Sequence, residues 1–136
     1  MKKILILIAL LSLLLNAEGK IQLGKLSNVY LNYQKALSSA KEQQKNLFIL
    51  FKKKRCPWCR KLKENTFQDD NLASLLNSDF VVVMLDKNRD KFPSQYDASR
   101  VPVVYMANSN EKVFVKKLGY DANPNEYIRL AEYLNP

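Results

Sequence analysis

The stretch Leu47-Phe48-Ile49-Leu50-Phe51-Lys52-Lys53-Lys54-Arg55-Cys56-Pro57-Trp58-Cys59 decides how this chain is read. Its first five residues form an apolar run of strand length, read as a buried strand. Its last four hold both cysteines of the chain, at the point where strand gives way to helix. Pro57 suits the first helical position, where its missing N–H costs nothing. Two thiols one helical turn apart can close a short disulfide ring and reopen it. The helix N-terminus favours a thiolate, so Cys56 is expected to be acidic and nucleophilic. A structural bridge gains stability by closing a long loop, and this one closes almost none. Reactivity therefore explains the pair better than architecture does.

Downstream, the helix that begins at Pro57 is expected to reach about Thr66. Asp69 or Asp70 then caps a second helix, Asn71 to Asn77, with Leu72, Leu75 and Leu76 inward. Phe80 to Leu85 is apolar throughout, as a central parallel strand should be. Residues 87–100 are polar, with a short helical turn near Pro93 to Ala98. Val103 to Met106 reads as a third strand, Asn108-Ser109-Asn110 as a turn, and Lys112 to Leu118 as the return strand of a hairpin. Asn123, Pro124 and Glu126 supply the cap, first and third positions of a last helix. Upstream, Ser27 or Asn28 caps a helix to about Lys45, carrying Tyr30, Tyr33, Leu37 and Ala40 at helical spacing. The order α, β, α, α, β, α, β, β, α predicts an α/β domain with a mixed central sheet flanked by helices on both faces.

The first residues stand apart from this domain. Met1-Lys2-Lys3 is positive, Ile4 to Leu15 is apolar except for Ser12, and small residues follow at Ala17 and Gly19. This is the layout of a secretory signal peptide, too short in its apolar run to span a bilayer. Residues 1–17 are therefore assigned to a leader, cleaved after Ala17 or after Gly19, and 18–136 to a single domain. The protein is expected in the periplasm or outside the cell. The 136-residue chain carries a formal net charge of +9 and no histidine. Two cysteines without a histidine exclude a monomeric Cys/His zinc site, and no metal is expected. Covalent haem attachment needs a histidine after the second cysteine, where Arg60 stands. A basic chain also raises nucleic-acid binding, but export and a CxxC at the centre of the basic run argue against it.

The CxxC after an apolar strand, together with Arg100-Val101-Pro102-Val103 at the start of the third strand, resembles the thioredoxin superfamily. The resemblance covers about Ser27 to Leu134. Trp58-Cys59-Arg60-Lys61-Leu62 and Asn65-Thr66-Phe67-Gln68-Asp69 are further similar to a secreted branch of that superfamily, which includes the C-terminal domain of the disulfide reductase DsbD. There are departures. Cytosolic thioredoxins carry a buried aspartate on the strand before the first cysteine, and Leu50 holds that position. Glu64 stands where they have a helix-kinking proline. The dipeptide between the cysteines is Pro-Trp, so neither the proton acceptor for Cys59 nor the redox potential transfers from a relative.

The resemblance implies a thiol-disulfide oxidoreductase with Cys56 as the attacking thiolate and Cys59 as the resolving thiol of a redox-active Cys56–Cys59 pair. It also implies a cis Val101–Pro102 bond, with Val101 and Pro102 contacting substrate; Trp58 reads either as a substrate-contact surface beside Cys56 or as an aromatic lid with a packing role only. Lys54, Arg55 and Arg60, among the basic flanks Lys52 to Arg55 and Arg60 to Lys63, are expected to tune the thiolate. The seven tyrosines, Tyr120 and Tyr133 included, read as core or boundary residues. The expected role is reduction of protein disulfides by a monomer without cofactor. Its electrons would come from a membrane protein, and its clients would be oxidised proteins or apocytochromes. A thiol oxidase or isomerase on the same fold, and a redox-inert binding or chaperone module, are the alternatives.

Overall fold

Along Asn46–Lys52 the side chains alternate between two interiors: Leu47, Ile49 and Phe51 enter one apolar cluster, Phe48 and Leu50 the other. That alternation requires a strand covered on both faces. The neighbouring Phe80–Asp86 is buried at every position and splits the same way. The computed structural model describes residues 2–4 and 19–134, so the leader assigned to residues 1–17 lies almost wholly outside the described residues.

Among the described residues six strands make one sheet: β1 (Lys20–Leu23), β2 (Leu26–Tyr30), β3 (Asn46–Lys52), β4 (Phe80–Asp86), β5 (Val103–Ala107) and β6 (Val113–Leu118), in the order β1-β2-β4-β3-β5-β6. β2 and β3 run parallel to β4, while β1, β5 and β6 join through antiparallel pairs. Helix α1 (Tyr33–Gln43) seals one face with Tyr33, Ala36, Leu37 and Ala40, joined there by Tyr96 and Ala98. On the other face lie α2 (Pro57–Glu64), α3 (Asp70–Asp79) and α4 (Pro124–Glu132), through Leu62, Leu72, Leu76, Tyr127 and Ala131. The chain thus has the α/β thioredoxin fold, with a mixed sheet between two helical layers.

The N-terminal part corrects the sequence reading. Residues 26–30 are strand, not the start of a helix, and α1 begins at Tyr33 with Asn32 as its cap, the Lys35 N–H donating to Asn32 Oδ1 at 2.9 Å. Leu26, Val29 and Tyr30 are buried, and Val29 and Tyr30 lie beside Val82 and Val83 of β4. β4 thereby gains a partner on its outer edge, and pairing a buried, mostly apolar strand outweighs the weak helical preference of Ser27, Asn28 and Val29.

Three smaller differences are local. α2 stops at Glu64, and a single 3-10 turn, Thr66–Gln68, carries the buried Phe67 before Asp69 caps α3 by accepting from the Leu72 N–H at 3.0 Å. The expected helical turn near Pro93 is one reverse turn, closed by the Tyr96 N–H on the Pro93 carbonyl at 3.2 Å. In α4, Glu126 pairs with Arg129 at 2.9 Å instead of reaching back to the cap.

Candidate active site

β3 ends at Lys52, and the chain turns through Lys53-Lys54-Arg55 before α2 begins. Arg55 takes the left-handed conformation (φ 56°), which brings Cys56 to the helix cap. Cys56 itself is the N-cap residue, its sulfur accepting the Cys59 N–H at 3.2 Å. The cysteine therefore does at this helix what a serine or aspartate does at others, and its Sγ lies where the unpaired N–H groups point. Cys56 and Cys59 form a disulfide with Cα atoms 5.2 Å apart. Cys56 is half-buried at the surface, whereas Cys59 is only 2 % exposed.

One flank of the disulfide is apolar. Trp58, 54 % exposed, stacks on Tyr120 with ring centroids 5.3 Å apart, and the Lys61 ammonium stands 4.7 Å from the indole centroid. These two rings, with Val101, Pro102 and Gly119, line an open groove of about 300 Å³. The Val101–Pro102 bond is cis, and the Gly119 N–H donates to the Pro102 carbonyl at 2.8 Å. Gly119 has φ +88°, which a side chain would strain, although a Cβ there would meet nothing. Val101 supplies neither donor nor acceptor among the turn and loop hydrogen bonds of the described residues.

The other flank is cationic. Lys52, Lys53, Lys54, Arg55, Arg60 and Lys63 line a cleft of about 250 Å³ together with both cysteines and one acid, Glu64. Lys52 lies 3.9 Å from the carboxylate of Asp86, which is buried at the end of β4 and accepts the Asn88 N–H at 2.9 Å. Lys63, one turn beyond Cys59 on the same helix face, is half-buried, and that burial together with the Lys52 charge pulls its pKa below the usual lysine value.

The thioredoxin-like family profile matches residues 28–109. This chain belongs to the thioredoxin-like family. Among thioredoxin-fold structures, DsbH oxidoreductase superimposes with a TM-score of 0.64 at 16% identity, over 84% of this chain and 89% of that one. The oxidised DsbD C-terminal domain of Neisseria meningitidis gives a TM-score of 0.60 at 17% identity, over 74% of this chain and 90% of that one. Spermatogenesis-associated protein 20 of Rattus norvegicus is 37% identical over 54 residues, which are 40% of this chain and 7% of that protein. The chain thus spans a small fraction of the curated relatives it matches. It joins a thioredoxin-like fold to a cysteine pair closed in a disulfide at the start of α2.

Trp58, Val101 and Pro102 line the apolar groove together, while Cys56 and Cys59 line the cationic cleft with Lys54, Arg55 and Arg60. Two contributors escaped the sequence. Tyr120, half-buried at the boundary as expected, also forms a wall of the groove, a role for which an aromatic directly after the strand-breaking Gly119 is the available signal. Asp86 closes β4 directly after the apolar run Phe80 to Leu85, which masks it as the strand's polar end. Tyr133 is not the core or boundary residue expected: it sits at the C-cap of α4 and is 82 % exposed.

Proposed function

We propose that this chain is an exported protein-disulfide reductase: a leader over residues 1–17, removed after Ala17 or Gly19, then one catalytic domain over 18–136. The observation that carries the reading is the placement of Cys56 as a surface sulfur at a helix cap with Cys59 buried one turn inward. In the reduced protein the Cys56 thiolate attacks a client disulfide. A Cys56–client S–S bond forms, the client S–S bond breaks, and its electron pair leaves on the other client sulfur. Cys59, deprotonated, then attacks Cys56, closing the intramolecular disulfide and releasing the second client thiolate. Two electrons and two protons pass to the client.

Val101, with its backbone groups unspent, and Pro102 would receive the client backbone as an added strand, and Trp58 and Tyr120 would hold an apolar side chain beside it. Lys54, Arg55 and Arg60 favour the Cys56 thiolate by charge. A membrane dithiol protein would restore the dithiol, and oxidised exported proteins or apocytochromes are the client class. The testing experiment equilibrates the protein in defined thiol buffers and reads the Cys56–Cys59 state by alkylation and intact mass. A potential of about −250 mV or lower is expected. One near about −120 mV would reverse the direction to an oxidase, and a pair that never exchanges with the buffer would make the domain a redox-inert binding module.

A further inference from the structure

The cations beside the disulfide are arranged as a concave surface, not as a scattered solvated face. Lys53, Lys54, Arg55 and Arg60 are exposed, and Lys63 is half-buried. Among the described residues, none of these five has a carboxylate within 4.0 Å; Lys52, next to Asp86, is the exception in the cleft. A face evolved for solubility alone mixes both signs, whereas here Glu64 is the single acid in the lining. Clefts of one sign focus the field and raise the local concentration of opposite charge. The cleft touches Cys56 and Cys59 directly, and its lining shares no residue with the Trp58–Tyr120 groove. The sheet order puts β4, whose Asp86 holds Lys52, on one side of β3, and β5, which Pro102 leads into, on the other.

We propose that the cationic cleft selects client polypeptides bearing acidic residues next to the reacting cysteine, on the side away from the Trp58–Tyr120 groove. Screening sets the reach of this selection. The Debye length at physiological salt is about 8 Å, and an extended strand advances about 3.3 Å per residue. Only the first two or three residues beyond the client cysteine therefore feel the cleft, and the client's overall charge matters little. The acidic carboxylates also have open donors to meet: four cationic side chains without an ion partner and the half-buried Lys63 ammonium. This selectivity rests on the exchange reading above, with the Cys56–Cys59 dithiol as the reductant.

The test is a single-turnover reduction of disulfide-linked peptides by the pre-reduced protein, with no other reductant present. Three peptides differ only at the two residues beside the cysteine: Glu-Glu, Gln-Gln or Lys-Lys. At low salt the Glu peptide is expected to react about tenfold faster than the Gln peptide, with the Lys peptide slower than both. At about 0.5 M sodium chloride the three rates should converge. Charge reversal at Lys53→Glu with Lys54→Glu, both on an exposed loop, should collapse the Glu-to-Gln ratio. Equal rates for the Glu and Gln peptides at low salt overturn the selectivity, as does a ratio indifferent to salt. Oxidised glutathione reacting faster than the Glu peptide would reassign the cleft to small anionic disulfides. Failure to reduce any peptide strikes the exchange reading itself, and so separates the two.

Discussion

Lys63 illustrates how a single side chain can carry a cost into a functional cleft. Its half-buried amine loses hydration and faces Lys52, so its folded pKa lies below the ordinary 10.5. Between those two values the unfolded chain binds more protons than the folded one, and stability rises with pH. Below the folded value the charged amine is destabilising by a constant amount. Lys63→Met should therefore stabilise the oxidised protein at neutral pH, and the gain should shrink as pH climbs toward 10.5. Urea midpoints of both proteins across that range check it; a gain that grows with pH would mean that burial does not penalise this amine. At this scale the cysteines were legible, because their spacing and the flanking strand are local signals. Tyr120 was not, since its partner Trp58 is remote in sequence and only the closed fold brings the rings together.

Between α2 and α3 the chain makes a single 3-10 turn that buries Phe67. That ring meets Phe48 at 5.3 Å and Tyr127 at 5.5 Å, edge-on in both cases, and so fastens the active-site helix to β3 and α4. Phe67→Ala is expected to cost about 3–5 kcal/mol, the range for a fully buried aromatic. Asp69→Ala removes the cap of α3 and should cost about 1 kcal/mol. Chemical denaturation checks both, and an equal loss from the two variants would mean that the turn is held by capping and not by packing. The caps of α3, read as Asp69 or Asp70, and of α4, read as Asn123, were legible because capping chemistry is written in a few adjacent residues. Strand β2 was not: Leu26, Val29 and Tyr30 suit a helix face as well as a strand, and only β4, far along the chain, decides between them.

Across the whole molecule, the two-faced burial of β3 and β4 makes the sheet the frame to which every active-site element is tied. β2 covers the outer edge of β4, and its loss would leave a buried, mostly apolar strand with unpaired backbone. A variant beginning at Leu31 is expected to associate with rising concentration, measured by light scattering, whereas one beginning at Gly19 should scatter as a single species. Similar scattering from both would show that β1 and β2 are dispensable to the sheet. The layered α/β architecture was legible because alternating strands and helices leave few topologies, but the charged cleft depends on where a loop and a helix meet in space. The indole between the cysteines has one more use. Trp58 is the chain's single tryptophan, so its emission comes from one place, with a disulfide beside it and Tyr120 stacked against it. The protein thereby carries its own optical gauge: opening the disulfide or seating a client must alter that one fluorophore, and no second indole dilutes the signal.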